Sequence, residues 1–192
     1  MRHGQTPWNE LGRFQGHTDL PLSELGRAQA AELAERLRGR IEAVVSSDLA
    51  RASETARIVS EALSIPLLHL DHELRERGYG VFEGLTYEQC EQRFPEDWAA
   101  RELERNHAPP GGEQRAVVIA RMQRALARAV AALRPRHRCA LVVSHGSSLR
   151  MFLETLSSAP VASLANMAYR EVVHDGAAFR LVTTTSTRRQ RR

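Results

Sequence analysis

Three short apolar runs set the terms for what this chain can fold into: Ile41–Val45, Leu67–Leu70 and Ala140–Val143. Each is too short for an ordinary helix. The first and last run straight into polar turns, Ser46-Ser47-Asp48 and Ser144-His145-Gly146. They read as buried strands. The segments between them carry helical periodicity. Ser23 is placed to cap a helix from about Glu24 to Arg38. Leu49, Ala52, Ala56, Val59 and Leu63 share one face of a second helix, which Pro66 ends. A long helix is predicted over about 115–133, with Val118, Met122, Ala125, Leu126, Ala129 and Leu133 on its apolar side. Leu149, Phe152, Leu153 and Leu156 mark another, and Ala177–Val182 reads as a last strand. Strands alternating with helices predict an α/β fold, a three-layer α/β/α arrangement around a mostly parallel central sheet. Residues 86–105 are polar with scattered helical periodicity, and Pro109-Pro110-Gly111-Gly112 is a loop. No internal repeat or linker divides the chain, so residues 1–182 are expected to form a single domain.

Charge could suggest a nucleic-acid partner, since the 192 residues carry a formal net charge of +4. Its location argues against that. Arg188, Arg189, Arg191 and Arg192 supply four positive charges, and the remainder is formally neutral. They lie in Thr183–Arg192, which has no apolar period and is read as a basic disordered tail. There is no aromatic-plus-basic stripe of the kind single-strand binders use. No apolar run approaches the roughly 20 residues that span a bilayer, and no apolar leader opens the sequence. A cytoplasmic protein is expected, with no nucleic-acid or membrane partner and with a homodimer as an assembly left open. Cys90 and Cys139 read as two reduced thiols rather than a disulfide or metal framework. All 27 basic residues are Arg, which excludes a Lys-based mechanism such as a Schiff base.

In α/β folds, ligands sit beyond the carboxyl ends of the strands. The segments that stand out are Arg2-His3-Gly4-Gln5-Thr6 with Asn9, Ser46–Ala52, Leu74–Gly80, and Val142–Gly146. Their residue types suit phosphoryl transfer without a metal. The transferred group spreads negative charge over its oxygens, so cations and N–H donors must surround it. Arg2 and Arg51 offer planar forks that stay charged. Asn9 offers an amide donor, and His145, at a strand end beside a helix start, adds another. His3 is the candidate nucleophile: an imidazole with a reference pKa near ~6.5 is available around neutrality, and nearby cations favour its neutral form. Gly4 would let the backbone come close to the phosphate. Glu76, in a loop loosened by Gly78 and Gly80, is the candidate acid, and an adjacent dianionic phosphate favours its protonated form. Taken singly, each residue has an ordinary reading. A lone His is commonly a core or surface residue, an Arg on a helix a solvated charge, and Glu76 between Arg75 and Arg77 a surface ion pair. The chain has no P-loop and no H-E-x-x-H or paired-Cys metal motif, so neither metal nor cofactor is expected.

Taken together, the motifs resemble the histidine phosphatase superfamily, which includes the cofactor-dependent phosphoglycerate mutases and their phosphatase relatives. Arg2-His3-Gly4 with Asn9, Arg13-Phe14-Gln15-Gly16 and Pro21–Gly26 resemble its opening. Ser46-Ser47-Asp48-Leu49 with Arg51-Ala52 and Glu54-Thr55-Ala56 resemble its second signature. Leu74 with Glu76 and Glu83-Gly84 resemble its acid segment, Pro110-Gly111-Gly112-Glu113 a substrate-side loop, and Ser144-His145-Gly146 its second-histidine segment. The resemblance runs from Arg2 to about Val182. It implies His3 as phospho-acceptor and a phosphate pocket of Arg2, Arg51 and His145. Asn9 and the Gln15-Gly16 backbone become auxiliary contacts, and Glu76 the proton donor.

The sequence departs from the family in one respect. An apolar strand ordinarily precedes the Arg-His-Gly triplet, whereas here only Met1 precedes Arg2. The fold is therefore expected to lack its usual first strand, with a native start upstream of Met1. Without that strand, His3 would stand on a frayed terminus. The compact chain favours hydrolysis of small phosphate monoesters over the mutase reaction. A dedicated phosphatase such as an α-ribazole phosphatase, a sugar bisphosphatase, or a non-catalytic phosphate-binding protein are the alternatives. Residues 86–110, with Tyr87, Phe94, Trp98 and Arg101, are expected to cap the pocket and select the ester.

Overall fold

The apolar runs do pair, and in parallel. In a computed structural model that describes residues 1–104, 106–133 and 137–182, β1 (Ala43–Ser47) lies between β2 (Leu67–Asp71) and β3 (Ala140–Val143), in the order β2-β1-β3. Every residue of β1 is buried, as a strand flanked and covered on both sides must be. Alternation along it separates two cores. Val44 packs with Leu33, Leu37, Ala52 and Val59 from α2 (Glu24–Leu37) and α3 (Ala50–Leu63). Val45, one residue on, packs with Val118, Met122 and Phe152 from α6 (Arg115–Leu133) and α7 (Gly146–Leu153) on the opposite face. This is the expected three-layer α/β/α arrangement.

Local signals act where the sequence places them. The Ser23 side chain accepts from the Gly26 N–H at the start of α2. Ser64, in the left-handed conformation, ends α3 ahead of Pro66. Between β2 and α6 the chain builds α4 (Tyr87–Arg93) and α5 (Pro95–Leu103), beside a small third core of Phe14, Phe82 and Cys90. The four-residue α1 (Pro7–Glu10) starts at a capping box between Thr6 and Asn9.

Two expectations change. The strand read at 177–182 forms as β5 (Phe179–Leu181), but it pairs antiparallel with β4 (Val172–His174) as a separate ribbon and does not join the main sheet. The start of the chain is not frayed. No strand precedes Arg2, yet Met1–His3 lies parallel to the end of β3. Arg2 pairs with Ser144, the Ser144 N–H donates to Met1 O at 2.9 Å, and the His3 N–H donates to Ser144 O at 3.0 Å. The Met1 amino group is buried and donates to Val142 O at 2.8 Å. Burial lowers its pKa to about 5. Beside this segment and the β4–β5 ribbon lies a cavity of about 650 Å³, lined mainly by apolar side chains such as Ile41, Leu126, Leu153 and Phe179.

Among the described residues, no helix is long and apolar enough to cross a membrane. The basic stretch 183–192 lies outside them.

Candidate active site

The parallel pairing of Arg2 with Ser144 delivers two histidines side by side. His3 and His145 each follow a paired residue, and their rings face each other with centroids 5.1 Å apart and planes inclined at 59°. Both are buried. His3 Nδ1 lies 2.7 Å from the Gly4 carbonyl. That oxygen only accepts, so Nδ1 carries the proton and Nε2 keeps its lone pair. Burial first, then the charges of Arg51 and Arg2, lower the His3 pKa well below its ordinary value. The imidazole is therefore neutral at neutral pH, as a nucleophile must be. His145, the N-cap residue of α7, is pushed down by the same burial and by Arg51. Its Nε2 is 2.9 Å from Ser47 Oγ; the Ser47 oxygen accepts from the Leu49 N–H and its hydroxyl donates to Nε2, which leaves the ring proton on Nδ1.

Two arginines complete this corner. Arg51 points from the first turn of α3 and is fully buried. It donates to Thr18 O at 3.0 Å and Gly16 O at 2.8 Å. Burial lowers its pKa to about 10, so it remains charged at neutrality. Arg2 donates to Leu164 O at 2.7 Å. Both therefore reach only neutral carbonyls through these bonds. Arg2 Nε, Arg51 Nε and His145 Nδ1 are buried without a hydrogen-bond partner among the described residues. Unpaired buried donors are rare because each forfeits its hydration. Three of them around one imidazole make a corner suited to a tetrahedral oxyanion.

A cavity of about 570 Å³ opens from this corner, lined by Arg2, His3, Asn9, Gln15, Gly16, Arg51 and Glu76 among others. Seven of the eight residues singled out in the sequence thus share one wall, and His145 sits beneath it against His3. The Glu76 carboxylate is held at the start of α7. It accepts from the Ser147 and Ser148 N–H groups at 3.1 and 2.9 Å, from Ser148 Oγ at 3.1 Å and from the Arg77 N–H at 2.9 Å. Asn9 Oδ1 accepts from the Thr6 N–H at 3.1 Å and from Asn166 Nδ2 at 3.1 Å, fixing its amide at the rim. Gly16 has φ +54°, and a Cβ there would lie 1.9 Å from Glu83 Oε1. That carboxylate binds the His17 and Thr18 N–H groups and the Tyr79 N–H, so it ties the first loop to the acid segment.

Some placements differ from the expectations. Gly4 is needed for helix packing: a Cβ on it would lie 2.6 Å from Gly26 O in α2. Glu113 of the Pro110–Glu113 loop does not line the cavity but packs behind Glu76. Tyr87 lines the cavity, whereas Phe94 and Trp98 buttress it through Phe82 and Arg101 stacks on Trp98 at 3.8 Å. The sequence reading gave no role to Trp8, Arg13 or Ser147 in the lining, and Tyr79 appeared there only within a quoted segment. Tyr79 donates to or accepts from Ser147 Oγ at 2.5 Å. None of these carried a spacing signal; the aromatic content of 79–98 was the one clue. No group of His, Cys, Asp and Glu among the described residues could hold a metal ion.

Comparison with known proteins places this geometry in context. A family model described as the histidine phosphatase superfamily, branch 1, matches residues 1–187. A metal-independent phosphoserine phosphatase of Arabidopsis thaliana is 35% identical over 179 residues, covering 91% of this chain and 74% of that protein. A glucosyl-3-phosphoglycerate phosphatase of Mycobacterium tuberculosis is 37% identical over 171 residues, covering 85% and 76%. Among solved structures, a mycobacterial glucosyl-3-phosphoglycerate phosphatase in complex with VO3 superposes with a TM-score of 0.81 at 32% identity, covering 94% of this chain and 93% of that one. YhfR of Bacillus stearothermophilus gives 0.83 at 30% identity, covering 95% and 93%.

Proposed function

The chain belongs to the histidine phosphatase superfamily and is a phosphatase of phosphate monoesters, and from that premise we propose that His3 is its nucleophile and Glu76 its proton donor. The carrying observation is the neutral His3 imidazole, its Nε2 lone pair free, set among the buried unpaired donors of Arg2, Arg51 and His145. These donors bind the phosphoryl oxygens. His3 Nε2 attacks phosphorus as the bond to the ester oxygen breaks, and Glu76 gives that oxygen a proton, releasing the alcohol. Water then attacks the phosphohistidine. Glu76 takes a proton from it, phosphate leaves, and Nε2 regains its lone pair. The cations lie where charge spreads over the equatorial oxygens, so no metal is required for the step.

Asn9, Gln15 and Gly16 line the approach and contact the phosphoryl group or its ester oxygen. The organic part of the substrate occupies the outer cavity against Trp8 and Tyr87. At about 570 Å³, that space takes a small-molecule ester. A reducing cytoplasm suits the two unpaired thiols, Cys90 and Cys139.

Hydrolysis of p-nitrophenyl phosphate in EDTA, followed by acid-labile, base-stable labelling of the enzyme with radiolabelled substrate, tests the assignment. Label present in the wild type and absent from a folded His3→Ala variant is the expected result. Turnover retained by His3→Ala would overturn it. Offering 3-phosphoglycerate and measuring free phosphate against 2-phosphoglycerate separates hydrolysis from transfer.

A further inference from the structure

We propose that Arg121, Glu113 and His17 act as a clamp that positions Glu76 for proton transfer from behind the pocket, without touching the substrate. The inference rests on the reading of Glu76 as the proton donor.

Residues 73–77 carry Glu76 across the site outside any strand. Arg121, from α6 and only 7% exposed, binds three of their carbonyl groups. Its Nη1 donates to Glu73 O at 2.9 Å and to Arg75 O at 2.6 Å, and its Nη2 to Glu76 O at 2.8 Å. The same guanidinium grips Glu113 in bidentate fashion, Nε to Oε1 at 2.9 Å and Nη2 to Oε2 at 2.8 Å. All five N–H donors of the fork are thus engaged, three of them on the backbone that presents Glu76.

Glu113 closes the loop from the other end. Its Oε2 accepts from the Gly78 N–H at 2.7 Å, and its own N–H donates to Gly78 O at 2.9 Å. Its carbonyl accepts from Arg77 Nε at 2.7 Å. His17 adds a third hold. Its Nε2 lies 2.9 Å from Glu76 O and 3.4 Å from Glu113 Oε2; both are acceptors, so Nε2 carries the proton. Residues 75–78 are therefore fixed on both flanks. The carboxylate of Glu76, meanwhile, is aimed by Ser147 and Ser148. None of the three clamp residues lines the cavity. Their contacts converge on the backbone on either side of one side chain, as required to hold an acid within a few tenths of an ångström of its target.

The readout is the dependence on leaving group. A p-nitrophenolate departs with little help from an acid, while the size-matched phenolate needs a proton. We take the ratio of kcat/KM for phenyl phosphate to that for p-nitrophenyl phosphate in the wild type, Glu76→Gln, Glu113→Gln, Arg121→Lys and His17→Asn. The ratio is independent of the fraction of enzyme folded, so a variant that is merely unstable does not move it. The expected result is a drop of about tenfold or more for Glu76→Gln, and of about three- to tenfold for the clamp variants, carried by kcat. A ratio within about twofold of wild type in Glu113→Gln and His17→Asn, with Glu76→Gln lowered, would overturn the clamp. An unchanged ratio in Glu76→Gln would overturn the proton-donor reading beneath it.

Discussion

His3 and His145 face each other 5.1 Å apart across the ends of two paired segments, and both are held neutral by burial and by Arg51. A depressed pKa in a nucleophile extends activity toward acid, because the attacking form is the deprotonated one. The profile of kcat/KM for p-nitrophenyl phosphate is expected to show no inflection near the ordinary histidine value of about 6.5. Replacing Arg51 by Gln removes one of the charges that lower the His3 pKa. A folded Arg51→Gln enzyme should therefore lose activity by roughly a hundredfold or more, with its residual rate falling off at a higher pH than the wild type. An acid limb that does not move upward would contradict the electrostatic account.

Tyr87 is 60% exposed at the mouth of the cavity, yet it is braced by Phe14 and Trp98 at ring distances of 5.0 and 5.6 Å. A braced aromatic offers a rigid wall to the organic part of the ester. Tyr87→Ala should raise KM for p-nitrophenyl phosphate about fivefold, the equivalent of about 1 kcal/mol of ring contact. Inhibition by inorganic phosphate, which needs only the inner corner, should be unchanged. Weakened phosphate inhibition would show that Tyr87 shapes the corner itself.

In a chain that begins at Met1, the buried amine gives stability a pH dependence of its own. Its folded pKa is about 5, against 8.0 when exposed. Above pH 8 the amine is neutral in both states and burial costs nothing electrostatically. As pH falls from 8 to 5 the unfolded chain takes up the proton and the folded chain does not, so stability declines through that window by up to about 4 kcal/mol. Below pH 5 the penalty is constant. Urea denaturation of the chain beginning at Met1, between pH 5 and 8, measures it. Adding one Ala ahead of Met1 turns the amine into an amide and should flatten the slope. An equal slope in both proteins would assign the effect elsewhere.

Helix α2 touches the backbone behind the nucleophile. A Cβ on Gly26 would lie 2.1 Å from Gln5 O. Ala is favoured over Gly in a helix by about 1 kcal/mol, but overpacking against an immovable carbonyl costs about 1–3 kcal/mol or more. At so short a contact the second effect wins. Gly26→Ala is expected to be less stable by about 2 kcal/mol in chemical denaturation, and to lose kcat because Gln5 follows His3 and Gly4. A variant as stable as the wild type would show that the loop yields freely.

How much of this was legible in the sequence depends on how local the cause is. Ser23 caps α2 and Ala140–Val143 forms β3 as read, because a cap and a buried strand are decided by neighbours in sequence. Arg51, Glu76 and His145 were singled out because each follows a strand or opens a helix, and His3 because a neutral imidazole beside Arg2 suits a nucleophile. The pairing of Arg2 with Ser144 was not legible: three residues are too few for a period, and their partner lies at the far end of the chain. β5 was read as a strand, but a strand's alternation does not name its partner, and β4 is too short to announce itself. Glu113 belongs to a motif that suggested a substrate loop. Its place behind Glu76 depends on Arg121, one full helical face away in a different element.

The ladder between Met1 and β3 has a consequence for the order of assembly on the ribosome. Met1 reaches a carbonyl 141 positions further along, so the segment that carries His3 cannot settle until the chain has been made as far as β3. A nascent chain halted before Ser144 has Arg2, His3, Arg51 and Glu76 but no surface on which to gather them. Phosphatase activity therefore reports completed threading, and fragments released early are silent.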